Sequence, residues 1–286
     1  MCLYCDLWGE GMVWYLNPKN YSRHMYTIPE PKKVPKEAFA SGVESELGSY
    51  LKMQMEMIDA MEKGSAEYEA SVKRHKEMED FGQGSVGGWA GQVTPLREAE
   101  KIVEIANPMG LMACLCRNIV LAREERTTPE KTCMGVGVGM LKWERWPERY
   151  KGGVYWMNTE EAKEWLRDMD KKGFVHAVML FGHRFIGGIC NCDYPVCNMM
   201  LAPRLDFGLN LLKGHHVAMC DFDVCNGCGI CAQRCQFGAL KMNVTANKAN
   251  IDQMRCFGCG LCETGCPRGA ISLVERGKIP RLQEVW

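Results

Sequence analysis

One cysteine spacing occurs twice near the end of the chain, as CNGCGICAQRC at residues 225–235 and as CFGCGLCETGC at residues 256–266. In both copies the spacing is C-x2-C-x2-C-x3-C, and Pro267 follows the second copy. Each copy continues into a Gly-Ala-hydrophobic run, at residues 238–240 and 269–271. The repeat predicts two similar halves related by a pseudo-twofold axis.

This spacing is typical of ligands to [4Fe–4S] clusters. In runs of this kind the first three cysteines bind one cluster, and the fourth, at the start of a helix, reaches the other cluster. Glycines between the ligands allow backbone N–H groups to point at the cluster sulfur atoms. Structural zinc is the alternative, but zinc uses four ligands in spaced pairs, and two tight quartets exceed that need. The predicted ligands are Cys225, Cys228, Cys231 and Cys266 for cluster I, and Cys256, Cys259, Cys262 and Cys235 for cluster II.

Residues 215–276, which contain both complete quartets, resemble the bacterial-type 2[4Fe–4S] ferredoxins. The resemblance implies paired βαβ-like halves. It also implies two low-potential, one-electron centres that lie close enough together for electron tunnelling.

The charge of residues 215–286 differs from that of a free ferredoxin. Diffusing ferredoxins are usually strongly acidic, and that charge steers them to their partners. Here eight basic residues (Arg234, Lys241, Lys248, Arg255, Arg268, Arg276, Lys278 and Arg281) outnumber six acidic ones (Asp221, Asp223, Asp252, Glu263, Glu275 and Glu284). The balance favours a fixed position in a larger assembly; the alternative is that partners dock on other surfaces of the chain.

The chain has 17 cysteines, and most of those outside the two quartets are grouped. Two C-x-C pairs, each with a third cysteine nearby, predict a third metal site that holds an Fe–S cluster or zinc. Its candidate ligands are Cys114, Cys116 and Cys133, with one or more of Cys190, Cys192 and Cys197. Cys2 and Cys5 form a further C-x2-C that could contribute ligands, and Cys220 is interpreted as a small buried hydrophobic residue.

A second resemblance covers residues 93–276. A group of anaerobe 4Fe–4S binding proteins carries a C-x-C-R element, a lone cysteine, a Gly-x-Val-His segment and C-N-C ahead of a dicluster module. The matching residues here are Cys114-Leu-Cys116-Arg117, Cys133, Gly173–His176 and Cys190-Asn191-Cys192. The resemblance implies redox chemistry without naming a substrate. This chain has fewer cysteines after the second C-x-C than that group often has. For His176 itself, a metal ligand or proton shuttle is weighed against a hydrogen-bonded core histidine, which we favour.

The fold class that we predict is α+β, with three parts. Residues 1–92 form an N-terminal helical extension, with a long amphipathic helix at 49–81 and a Gly-rich linker at 82–92. Residues 93–213 form a cysteine-bearing α/β middle domain, and residues 214–286 form a ferredoxin-like dicluster domain. In the middle domain Thr94 and Pro95 predict the N-cap and first residue of a helix to Ala106. Asn158 and Glu161 predict a capping box for a helix that ends near Lys171 at a C′ glycine, Gly173, before a strand at 174–181.

Charge and hydropathy limit the function classes. The 35 basic and 35 acidic residues of the 286-residue chain cancel, so no overall charge favours nucleic acid. No apolar run reaches the roughly 18 residues of a membrane span. The first residues lack the features of a signal peptide, which predicts a soluble cytoplasmic protein with reduced thiols.

These observations predict an iron–sulfur electron-transfer protein. We expect it to be a subunit of a larger anaerobic oxidoreductase complex, with redox proteins as stable partners, two [4Fe–4S] clusters and a third metal site. One alternative is a stand-alone reductase with a substrate-binding Fe–S centre at the middle-domain cysteines. Another is a redox sensor in which Cys2 and Cys5 act as a dithiol switch. The sequence leaves open whether the chain is itself catalytic.

Overall fold

The structure is a computed structural model, and it describes residues 4–5, 9–21, 90–112, 114, 131–137, 140, 154–180, 186–194, 197, 200 and 211–283. It contains both helices and sheets, which confirms the α+β class. The predicted helix at 49–81 lies outside the described residues, as do Cys2 and Cys116.

A mainly antiparallel sheet organises the first part of the described chain. Its strands are β1 (Ala90–Val93), β2 (Met109–Met112), β3 (Cys133–Val136), β4 (Tyr155–Met157), β5 (Val175–Leu180), β6 (Ile186–Cys192) and β7 (Leu211–Leu212). They lie in the order β4-β2-β3-β6-β5-β1-β7. Neighbouring strands are antiparallel except β1 and β7, which are parallel.

Two helices, α1 (Leu96–Ile105) and α2 (Thr159–Lys171), cover one face of this sheet. Ion pairs join them, Arg167 to Glu100 at 2.6 Å and Lys163 to Glu104 at 2.8 Å. The core between helices and sheet includes Ile102, Val103, Leu166, Val178 and Ile189. Burial of this apolar surface is the main force that holds the helices on the sheet.

The ends of α2 confirm the sequence prediction. Asn158 Oδ1 accepts the backbone N–H of Glu161, and the Glu161 carboxylate accepts the backbone N–H of Asn158, each at 2.9 Å. The helix ends at Lys171, and Gly173 has a φ of +88°, as a C′ residue in the left-handed conformation requires.

The start of α1 differs from the prediction by one residue. Pro95 rather than Thr94 is the N-cap, and no side chain caps the helix. The physical reason is that the backbone stays extended for one residue beyond β1, since the Thr94 N–H donates to the His176 carbonyl at 3.0 Å. Its hydroxyl donates instead to the Glu98 carboxylate at 3.5 Å.

Parts of the predicted N-terminal extension belong to this core. Residues 90–92, expected at the end of a linker, lie in β1, which spans the predicted boundary at 92. Trp14 and Tyr15 are fully buried; the Trp14 indole donates to the Gln92 side chain at 2.6 Å, and the Tyr15 hydroxyl donates to Glu98. The N-terminal segment is therefore packed against both β1 and α1.

Two β-α-β halves form the last part of the chain. The first half has β8 (His216–Cys220), α3 (Ile230–Arg234) and β9 (Leu240–Asn243), and the second has β10 (Lys248–Ile251), α4 (Leu261–Thr264) and β11 (Ile271–Glu275). Strands β8 and β11 pair antiparallel, as do β9 and β10. This is the paired arrangement that the ferredoxin resemblance implies. Within the described ranges, no helix is long and apolar enough to cross a membrane.

The last part of the chain, from residue 214, packs on the sheet face opposite the helices and on the end of α2. Arg234 donates to the carbonyls of Leu261 at 2.8 Å, Asp170 at 2.7 Å and Lys171 at 3.1 Å. Gln236 donates to the Gly173 carbonyl at 2.5 Å. Arg234, from the last part of the chain, therefore supplies donors to two carbonyls in the last turn of α2, Asp170 and Lys171.

Candidate iron–sulfur sites

Two cavities in the last part of the chain are lined by cysteines. Cavity I has Cys225, Cys228, Cys231 and Cys266 in its lining. Cavity II has Cys235, Cys256, Cys259 and Cys262. Each cavity takes three cysteines from one segment and the fourth from the other. The structure thus gathers the same quartets that the spacing predicts.

The two halves present backbone N–H groups to equivalent cysteines. Cys225 Sγ accepts from the backbone of Gly227 and Ala249. Cys256 Sγ accepts from the backbone of Gly258 and from Ala218, the latter at 3.5 Å. Hydrogen bonds of this kind stabilise negative charge on thiolates and tune a bound cluster.

Glycine is required in these loops for both conformation and space. Gly227 and Gly258 have φ values of +76° and +75°. A Cβ on Gly258 would lie 2.1 Å from the His216 carbonyl oxygen, and one on Gly227 would lie 2.3 Å from that of Asn247. The loop backbones therefore pack directly on neighbouring backbone.

Backbone hydrogen bonds lower and burial raises the pKa of these thiols, and burial has the larger effect at Cys231 of cavity I as well as in cavity II. Hydrogen bonds from the Ala249 and Gly227 N–H groups lower the pKa of Cys225. Burial raises the pKa of Cys256, and it raises that of Cys259 to about 12. Metal binding has to displace the protons of buried thiols, and once bound the metal keeps them as thiolates.

The residues of both cavities fit [4Fe–4S] clusters. Soft thiolate ligands select iron–sulfur clusters among metal centres. Four thiols per cavity, with backbone donors aimed at the sulfurs, supply the ligand set and the hydrogen bonds that such a cluster needs.

The structure also gathers several candidate ligands of the predicted third site. Cys133 and Cys190 are cross-strand neighbours on β3 and β6. The Cys133 thiol contacts those of Cys114 and Cys190, and the Cys192 thiol contacts those of Cys114 and Cys197. We call Cys114, Cys133, Cys190, Cys192 and Cys197 the middle cysteine group. Hydrogen bonds with Cys114 are the largest cause that raises the pKa of both Cys133 and Cys192.

The middle cysteine group contains five of the six predicted ligands, since Cys116 lies outside the described residues. Among the residues that the structure describes, no set of three His, Cys, Asp or Glu side chains is arranged to hold a single metal ion.

Cavity II lies beside the middle cysteine group. Cys259 of cavity II packs with Cys190, Cys192 and Cys197 in one apolar cluster. The same cluster contains Phe237 and Phe257, whose rings stack with centroids 4.1 Å apart and planes 10° apart.

Cavity I lies toward solvent. Its ligand Cys228 is exposed. Phe222, Val224 and Ile230, which flank the first ligands in sequence, are exposed by 52%, 38% and 40%. The two cavities thus have different neighbours: cavity II adjoins the middle cysteine group, and cavity I adjoins exposed side chains.

His176 is a hydrogen-bonded core residue, which confirms the interpretation that we favoured. It is fully buried, and its Nδ1 lies 2.5 Å from Asn191 Oδ1. Side chains alternate along a strand, so Asn191 and His176 face the helices while Cys190 and Cys192 face the other side of the sheet. Burial lowers the pKa of His176.

Two other cysteines have different surroundings. Cys5 is buried, and its Sγ lies 3.5 Å from His215 Nε2. Cys220 was expected to be buried, but it is only half-buried and contacts Cys225. The reason is its place at the end of β8, where the strand opens into the ligand loop. Burial still raises the pKa of Cys220 to about 11.

Comparison with known proteins agrees with the geometry of the last part of the chain. Residues 224–270 match the family model of the 4Fe–4S dicluster domain. The match supports a ferredoxin-type domain that binds [4Fe–4S] clusters and serves electron transfer. It covers neither the middle cysteine group nor the N-terminal segment. No curated protein matches the chain.

Proposed function

We propose that this chain relays electrons through two [4Fe–4S] clusters and a third metal site as a subunit of a larger anaerobic oxidoreductase complex in the cytoplasm. The observation that carries the proposal is the lining of cavities I and II, in which each cavity has one complete cysteine quartet. When bound, each cluster takes up and releases single electrons.

The position of the two cavities supports an order for the relay. Cavity I has the exposed ligand Cys228 and suits exchange with a redox partner protein. Cavity II adjoins the middle cysteine group through Cys259 and the stacked pair of Phe237 and Phe257. Electrons would therefore travel between a partner at cavity I and the middle cysteine group, with cavity II between them.

The third metal site rests on the middle cysteine group. Five described cysteines drawn from three separate parts of the chain contact one another, whereas buried structural cysteines are usually scattered. A thiolate donor set suits an Fe–S cluster or zinc, and we favour a cluster because a cluster beside cavity II would carry electrons onward, whereas zinc has no redox chemistry. The cytoplasmic placement is supported by the grouping of the cysteines as candidate metal ligands, which need the reduced thiols that a cytoplasm maintains.

Stable association with partner proteins is supported by charge. The last part of the chain lacks the acidic surface that steers free ferredoxins, and its own contacts fix it on α2 through Arg234 and Gln236. The rival function, a stand-alone reductase, requires an iron with an open coordination position. The middle cysteine group offers five thiols, one more than a cluster needs, and so does not favour that reading.

The test is the iron, acid-labile sulfide and zinc content of anaerobically purified protein. About eight iron and eight sulfide per chain correspond to two clusters, and about twelve of each to three. The double variant Cys133→Ser, Cys192→Ser should lower about twelve to about eight, while the control Cys220→Ser should leave the content unchanged. Zinc at about one per chain would make the third site a zinc site. Protein without sulfide would refute the proposed function.

A further inference from the structure

A buried arginine lies beside cavity II. Arg276 has no exposed surface. Its Nε donates to the Gly214 carbonyl at 3.1 Å, and its Nη2 donates to the carbonyls of His216 at 3.1 Å and Cys256 at 2.6 Å. Cys256 is one of the four cysteines that line cavity II, so the Arg276 guanidinium contacts the backbone of a predicted cluster ligand.

The other terminal nitrogen of this guanidinium has no protein partner. Arg276 Nη1 is buried and has no hydrogen-bond partner among the described residues. Burial of an unpaired donor is costly, and buried donors normally have a protein group or an ordered water as partner. A guanidinium stays protonated at neutral pH, so the charge persists in the interior.

The other half of the domain has a matching but more exposed cation. Lys248 Nζ donates to the Cys225 carbonyl at 2.5 Å, in the same relation to cavity I as Arg276 has to cavity II. Lys248 is half-buried, so water and salt weaken its field, whereas they have little access to Arg276. Lys213 adds a second, half-buried positive charge on the side of Arg276.

We propose that Arg276 raises the reduction potential of the cluster in cavity II above that of the cluster in cavity I. The inference rests on the ligand sets of the proposed function. Reduction adds one negative charge, and a nearby cation in a low-dielectric interior stabilises the reduced form more than a screened one does. An electron that enters at cavity I then moves to the cluster of higher potential in cavity II, beside the middle cysteine group. The charge of Arg276 therefore favours electron flow from cavity I to cavity II.

The experiment is a redox titration of the full chain with its clusters bound. Electron paramagnetic resonance gives the midpoint potentials, and the shifted NMR signals of the cysteine β-protons assign each potential to its cluster. In the unaltered protein the cluster in cavity II should be reduced first. Arg276→Met should shift the midpoint potential of the cluster in cavity II to a lower value and leave the midpoint of the cluster in cavity I unchanged. Arg276→Lys keeps the positive charge, so the midpoint of the cluster in cavity II should stay close to its value in the unaltered protein.

Lys248→Met is the matched control, because it removes the half-buried charge that contacts the Cys225 carbonyl of cavity I. It should move only the midpoint of cavity I, by a smaller amount, and added salt should reduce that shift but not the shift of Arg276→Met. First reduction at cavity I in the unaltered protein would overturn the inference, even if Arg276→Met failed to fold. Unchanged potentials in Arg276→Met with both clusters bound would overturn it and leave the proposed function standing. Protein without any cluster would instead refute the proposed function.

Discussion

Cys235 follows Cys231 by four residues, yet it lines cavity II with cysteines of the other segment. We therefore expect Cys235→Ser to damage cluster II, although the nearest ligands in sequence belong to cluster I. Iron should fall by as many as about four atoms per chain, the content of one cluster. Assigned cysteine β-proton signals should disappear for cavity II and persist for cavity I.

The control for this variant is Cys220→Ser. Cys220 contacts Cys225 but lines neither cavity, so its replacement should leave both clusters bound. Loss of cluster I alone in Cys235→Ser would show that the ligand sets are wrongly assigned.

At the scale of single residues, the sequence predicted the cysteine quartets that line the two cavities but not the groups around them. The first three cysteines of each quartet follow from spacing because a ligand loop is a local structure. Arg276 reaches carbonyls about sixty residues earlier in the chain, and Arg234 reaches Asp170 over a similar separation. No local pattern carries such contacts, so the sequence analysis could only count these two arginines among the basic residues of the last part of the chain.

Each ligand loop depends on glycines, and they differ in what surrounds them. Gly258 and Gly229 have similar φ values, +75° and +76°. A Cβ at Gly258 would meet the His216 carbonyl oxygen at 2.1 Å, whereas a Cβ at Gly229 would meet nothing within 4 Å. Gly229→Ala should cost roughly 1–2 kcal/mol of stability, the strain of a left-handed alanine, and keep cluster II, because Gly229 lines cavity I only.

Gly258→Ala adds a backbone clash to the same strain and should push the cavity II loop away from β8. We expect partial or complete loss of cluster II with cluster I retained, measured by iron content and by the assigned cysteine signals. Equal content of cluster II in the two alanine variants would mean that the close packing of Gly258 on His216 does not hold the loop in place.

Elements were predictable where their signals are local. The capping box of α2 and its C′ glycine follow from four residues in sequence and were confirmed. Strand β1 was read as the end of a linker because AGQV carries little strand signal. It exists because β5 and β7 pair with it on either side. The same pairing keeps Thr94 extended and moves the N-cap of α1 to Pro95.

In the whole molecule, the central sheet lies between two layers. Helices α1 and α2 cover one face, and the last part of the chain covers the other, where Val175, Met179 and Cys192 pack with Leu261 and Cys259. Cavity II lies at this junction, beside Cys259 and Leu261, and cavity I does not. The sequence predicted the parts but not this layering, because it depends on contacts between distant segments.

The layering predicts how the clusters respond to oxygen when the last part of the chain is produced alone. A fragment of residues 214–286 retains its own core, which includes Val217, Leu240, Ala249, Ile271 and Leu282, and should fold. It loses the apolar cover over cavity II, so Leu261, now 1% exposed, and Cys259 would face water.

We expect air to destroy cluster II several-fold faster in the fragment than in the full chain, because oxygen and water gain access to exposed cluster sulfur and iron. Cluster I faces solvent in both proteins and should decay at the same rate in each, which makes it an internal control. The decay of each cluster is followed by its assigned cysteine signals and by electron paramagnetic resonance after reduction. Identical decay of cluster II in fragment and full chain would show that the middle domain does not shield it, and would remove the structural basis for placing cavity II on the inner side of the relay.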